Sequence, residues 1–277
     1  MRRFVCVMAA LCMLVCLCAC GREAAPEETS AETTIEITAA AAEIMTAQAL
    51  PTTLPVNLED ENDIDWARAK FKEHYEEPDR IEPFQNVITK RIHENMPQFT
   101  FTVYGFIGRD GEREHHMAYA IDISEQNGTY HQRLDGFSTI YPSKQDARLV
   151  DFNNDGYLDI QLHLWQGGSM RNEPSLFWLW DNRKHEFVEN EQLRMLSDEA
   201  SVDVEDNGRI TCYTRVMGGE YNLAYYSYIG NEFVRVEDVY IHEKEIDGVL
   251  YSITETSKLV NGRMKLVNTT KEKVEPQ

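Results

Sequence analysis

The chain reads as a mainly β, antiparallel protein, either β-propeller-like or a meander, preceded by two short helices and a disordered tether. Three observations predict this. From Phe99 onward, short segments of alternating apolar and polar residues recur, as half-buried strands require. Asn-Gly and related steps punctuate them, the strongest short-range hairpin signal. Residues 21–57 carry no aromatic side chain and no amphipathic period, so they cannot bury enough surface to fold alone.

The N-terminus comes first. Arg2 and Arg3 form a positive start, and Phe4 to Leu17 is an apolar run too short to span a bilayer. It closes on Leu17-Cys18-Ala19-Cys20-Gly21, which resembles the bacterial lipobox, although Cys18 departs from the usual small or branched residue. The expectation is a lipoprotein signal peptide over residues 1–19 and a diacylated Cys20 that fixes the protein to the outer face of the bacterial cell membrane. Two acyl chains suffice for stable anchoring. An ordinary secretory signal cut elsewhere and an uncut N-terminal anchor are the alternatives. Cys6, Cys12, Cys16, Cys18 and Cys20 all lie in this region, which leaves Cys212 alone. No intramolecular disulfide and no Cys-based zinc site can then form in the mature chain.

Residues 20–57 are expected to be a tether rich in Ala, Thr, Glu and Pro. Two helices are expected within residues 58–97. Ile64, Ala67, Phe71 and Tyr75 recur at helical spacing behind Asp63 as a candidate N-cap, until Pro78 breaks the pattern. Phe84, Val87, Ile88 and Ile92 mark a second face, ended by Pro97. Residues 98–277 then read as an all-β calcium-binding domain. Its strands include 99–106, 117–123, 176–180, 209–215, 222–228 and 232–236, with turns at Asn127-Gly128, Asn207-Gly208, Gly230-Asn231 and Asn261-Gly262. A weak repeat links Leu179-Trp180-Asp181 and Phe187-Val188 to Tyr228-Ile229-Gly230 and Phe233-Val234; propeller blades and plain hairpins account for it equally.

The most specific motif is Asp151-Phe-Asn153-Asn-Asp155-Gly156-Tyr157-Leu-Asp159. Oxygen donors fall at loop positions 1, 3, 5 and 9, Tyr157 offers its carbonyl at position 7, and Gly stands at position 6. A hard cation such as Ca²⁺ takes 6–8 oxygen ligands and needs a sharply bent chain, which Gly156 permits. A helical EF-hand would place Glu at position 12, where this chain has Leu162. With strand-like flanks the site is a strand–loop–strand one, and Asp159 is expected to replace that carboxylate. The same residues also make an ordinary Asx-rich turn.

Charge narrows the partners. With 27 basic and 47 acidic residues the net charge is −20; removing the signal takes Arg2 and Arg3 and lowers it to −22. Such a field repels phosphates, so nucleic acid is excluded as an expected partner, and basic proteins and divalent cations are favoured.

From about Ala147 to Val236 the chain resembles a group of bacterial exported proteins and lipoproteins. Their shared set is the loop, a Gly/Ser-rich stretch (Gly167-Gly168-Ser169), a strand ending Leu179-Trp180-Asp181, and Phe187-x-x-Asn190-x-x-Leu193. The resemblance implies a β-propeller-like domain with a structural Ca²⁺, and one branch is similar to lysozyme inhibitors that act as immunity proteins. It makes a basic peptidoglycan hydrolase or another surface protein the implied partner. Gly167, Gly168, Ser169 and Arg171 form the candidate binding loop beside the calcium site.

No catalytic residues are assigned. His115-His116 are adjacent and share no face, Ser169 lies in a flexible loop, and no nucleophile elbow, phosphate loop or dinucleotide fingerprint occurs. The expectation is a non-enzymatic binding or inhibitor protein. The alternative is a cell-wall glycan-binding or glycan-processing protein that uses Trp165, Trp178 and Trp180 to stack on sugars.

Overall fold

The structure is a computed structural model, and it describes residues 61–73, 78–126, 128–140, 147–164, 172–216 and 219–274. The chain divides into two compact units, Met1–Ala47 and Gln48–Gln277; every element below belongs to the second. The signal peptide, Cys20, the whole tether and the loop residues Gly167, Gly168, Ser169 and Arg171 lie outside the described residues. Among the described residues no helix is long and apolar enough to cross a membrane.

The described residues form fourteen strands in three antiparallel sheets, and in each sheet sequence neighbours are spatial neighbours. Sheet A holds β1 (Arg80–Arg91), β2 (Gln98–Asp110), β3 (Arg113–Glu125) and β4 (His131–Ile140). Sheet B holds β5 (Arg148–Val150), β6 (Asp159–His163), β7 (Ser175–Asp181) and β8 (Glu186–Glu189). Sheet C holds β9 (Ser201–Val204), β10 (Ile210–Arg215), β11 (Tyr221–Ile229), β12 (Glu232–Ile246), β13 (Val249–Val260) and β14 (Arg263–Lys273). These are open meanders, and among the described residues they close into no barrel or ring of blades.

One of the two expected helices is present. Helix α1 (Glu61–Lys72) starts two residues before Asp63 and buries Trp66, Ala67 and Phe71 against Phe106, Met117, Tyr119 and Ala120 of sheet A. A methyl group on Gly108 would sit 2.8 Å from the Phe71 ring, so a side-chain-free position on β2 lets the helix approach.

The second expected helix is a strand. Residues 80–91 pair with β2 over twelve residues, Phe84 opposite Gly105 and Ile88 opposite Phe101. Phe84, Asn86 and Ile88 turn inward while Pro83, Gln85 and Val87 turn outward, the period of two that marks a half-buried strand. The helical spacing of Phe84, Val87, Ile88 and Ile92 was coincidental, since Val87 is 55% exposed. Pro83 lies on a sheet edge, where it interrupts no ladder. A helix absent from the expectation, α2 (Glu191–Glu199), follows β8; Asn190 caps it by accepting the Leu193 N–H at 2.9 Å.

Alternation along β2 and β7 stacks the layers. Phe99, Phe101 and Val103 of sheet A meet Ile160, Leu162, Trp178 and Trp180 of sheet B in one buried cluster. The opposite face of β7, Phe177 and Leu179, packs with Leu193 of α2 and with Val202, Ile210, Cys212, Ala224 and Phe233 of sheet C. Sheet B is therefore covered on both faces, by A and by C.

Candidate functional site

The nine-residue loop connects β5 to β6, and its side chains fold back on its own backbone. Asp151 accepts the N–H groups of Asp155 (3.1 Å) and Gly156 (2.8 Å) through its two oxygens. Asn153 Oδ1 shares the Asp155 N–H at 3.2 Å, and Asp155 Oδ1 accepts the Tyr157 N–H at 2.9 Å. The donors at positions 1, 3 and 5 thus converge on one bend, which Gly156 completes at φ +90°.

Asp159 does something different. It is fully buried, and its two oxygens accept the N–H of Phe152 at 2.7 Å and of Trp180 at 2.9 Å. The carboxylate ties the start of the loop to the middle of sheet B, so as a metal donor it would have to share oxygens already engaged.

Each flank of the loop reaches another sheet. Leu158 donates its N–H to the Ile92 carbonyl at 2.8 Å, and the His93 ring stacks on Tyr157 at 4.3 Å, which joins the loop to the β1–β2 turn of sheet A. Phe152 is buried among the sheet C residues and meets Phe177 edge-on at 5.2 Å. A Cβ on Gly208, in the β9–β10 turn, would lie 2.5 Å from the Asn154 side chain, so that turn presses directly on the loop. The loop is the point where A, B and C meet.

Burial of carboxylates at this junction shifts their ionisation. Burial pushes the Asp155 carboxyl above its ordinary range and the nearby Asp151 charge adds to this, against the Tyr157 N–H, Asn153 and His93. Burial raises Asp159 well above the usual carboxylate range, and the Asp155 and Asp151 charges raise it further, although the two N–H donors oppose the shift. Among the described residues no three His, Cys, Asp or Glu side chains gather as a metal-holding group. Asp151, Asn153, Asp155 and the Tyr157 carbonyl are oxygen groups of the kind a hard cation takes, and the side-chain oxygens of the first three already accept hydrogen bonds within the loop.

Other expected residues fall into place around this site. Cys212 is buried in the cluster between sheets B and C, and burial pushes its thiol up to about 12, so it packs as a small apolar side chain. Trp178 and Trp180 lie in the A–B core, 6% and 2% exposed. The end of the candidate binding loop is anchored where Asn172 donates to the Asp198 carbonyl at 2.7 Å.

Sequence reasoning missed two devices. His93 was read as part of a helix, and only the strand assignment places it over Tyr157. Two glutamines act as clamps. Gln132 donates to the Phe187 carbonyl and accepts its N–H, both at 2.8 Å. Gln192 does the same to Phe233, at 2.6 and 2.8 Å. A side-chain amide can replace a neighbouring strand because it carries one donor and one acceptor in a peptide-like arrangement. Both clamps grip the Phe of a Phe-Val step, the repeated element of the sequence.

No family model matches the chain, and no curated protein matches it. A solved structure described as a Xanthomonas type IV secretion system related protein is similar to it over 67% of this chain and 99% of its own, at 16% identity and a TM-score of 0.48. At that distance the similarity says nothing of function.

Proposed function

We propose that the protein is an extracytoplasmic lipoprotein, anchored through Cys20, whose β domain is a non-catalytic binding module of the hydrolase-inhibitor or immunity type. The observation that carries this is the loop at the junction of the three sheets. Asp151, Asn153 and Asp155 gather around the bend at Gly156, a spacing that suits a structural ion site, and in the chain β6 follows the loop and precedes the candidate binding loop. Bound Ca²⁺ would supply the positive charge that the raised Asp155 and Asp159 carboxyls lack, and a sub-millimolar site would add about 1–3 kcal/mol outside the cell. The three face-stacked meanders with their repeated Gln-clamped Phe-Val steps support a blade-like relationship between sheets B and C.

An acidic binding module suits a basic hydrolase, because charge complementarity speeds encounter and excludes wrong partners. The chain from residue 20, with Cys20→Ser and immobilised in 2 mM calcium, is expected to retain a lysozyme-type hydrolase at low salt and release it as salt rises. No retention at low salt would remove this partner class. The glycan reading gains nothing from Trp178 and Trp180, whose rings are in the core.

A further inference from the structure

The β13–β14 hairpin is unlike the rest of the chain in charge. Its two strands hold Lys258, Arg263, Lys265, Lys271 and Lys273 against Glu255 and Glu272, a basic excess in a protein with 47 acidic residues. The register places Lys258 directly opposite Lys265, a like-charge pair that costs stability in a two-stranded ladder. Glu237 lies 3.8 Å from Lys258 and also pairs with Arg209 at 3.1 Å, which Glu205 holds in turn at 3.0 Å, so Lys258 is balanced only through the far end of this shared pairing.

Apolar side chains accompany this charge. Leu266 is 58% exposed and Val267 50%, with Val260 and Met264 beside the same turn. Every residue of β14 is exposed, and β14 is the free edge of sheet C. Leu259 faces Met264 and Ser257 faces Leu266 on one side of the hairpin, while the Lys258–Lys265 pair occupies the other. Exposed apolar groups next to basic ones are what an interfacial membrane element presents.

We infer that the β13–β14 hairpin docks edge-on on an anionic lipid surface, its Lys and Arg side chains on the headgroups and Met264 and Leu266 at the acyl boundary. A second copy of this chain fits the edge poorly, because edge-to-edge pairing would set two basic strands side by side. The net negative charge of the body does not prevent docking, since interactions between exposed charges fade beyond a Debye length of about 8 Å at physiological salt. Docking would lay the domain on the membrane, and it needs no acyl chain.

The test uses the acyl-free chain from residue 20, with Cys20→Ser, and vesicles of phosphatidylcholine with 30% phosphatidylglycerol or of phosphatidylcholine alone. The expected result is binding to the anionic vesicles only, weakened by salt. Lys258→Gln, Arg263→Gln and Lys265→Gln together should reduce it about 100-fold, at roughly fivefold per basic side chain. Leu266→Ser, on a β14 position outside any core, should reduce it about tenfold while the melting curve is retained, which separates docking from folding. Absence of binding to anionic vesicles at 50 mM salt would overturn the inference. So would binding that survives the triple substitution, or capture by a soluble polyanion such as heparin with none by vesicles. Each result stands whether or not Cys20 is acylated or a hydrolase is bound.

Discussion

Strands β9–β11 and strands β12–β14 belong to one sheet, yet they stand in opposite situations. In the first set Val202, Ile210, Cys212 and Ala224 are buried against sheet B and α2. In β13 only Ile253 is buried, and in β14 nothing is, although the ladder continues through ten paired positions, with one shift of register between Thr256 and Ser257. Backbone pairing propagates a sheet wherever the turns allow it, whereas burial is concentrated where sheets stack. The comparison teaches that stability resides at the junction around residues 151–159 and that the C-terminal strands are free to present a surface.

The largest effect should come from cutting the junction. Asp159→Ala leaves the Phe152 and Trp180 N–H groups buried without acceptors, which should cost about 3–5 kcal/mol in a denaturant titration. A loss below 1 kcal/mol would mean that the loop does not hold the layers. Gln192→Ala is next, because it releases both backbone groups of Phe233 at the border of the two sets; about 1–3 kcal/mol is expected from the same titration.

Protonation sharpens the contrast from the side of sheet A. His116 is buried on β3, and burial lowers its pKa below 6.5 despite the Glu114 carboxylate. The unfolded chain then binds the proton more readily than the folded one. The contribution is therefore complete above about pH 6.5 and lost as pH falls through the lower folded value. His116→Gln should flatten the decline in stability over that window; an unchanged pH profile would show that other groups cause it. Smallest of all, Leu266→Ser on β14 should change stability by less than about 0.5 kcal/mol, because it vacates no core. A loss above 2 kcal/mol would contradict the division drawn within sheet C.

Much of this architecture was legible in the sequence. The Ala67 and Phe71 stripe marked α1, alternation marked the strands, and Gly208, Gly230, Asn231, Asn261 and Gly262 take the positive φ values that their turns require. The bend at residues 151–156 was visible because the spacing of its Asp, Asn and Gly residues is local. The misses were matters of tertiary context. Phe84 to Ile92 has apolar residues at helical intervals, and only twelve paired positions with β2 decide for a strand. Helix α2 is short, and its signal, Asn190 before Leu193 and Leu196, was taken only as part of a motif. The structural bond of Asp159 to the Trp180 N–H was also hidden, because Trp180 lies 21 residues away, beyond any local pattern.

The Asp151–Asp159 loop joins the three sheets, and the proposed function makes it an ion-stabilised junction. The most direct measurement is a calorimetric melt of the acyl-free chain in 2 mM calcium and in EGTA, for the native sequence and for Asp155→Ala. The account predicts a rise of several degrees in calcium for the native chain, and none for Asp155→Ala. Identical melts in calcium and EGTA for the native chain would contradict it.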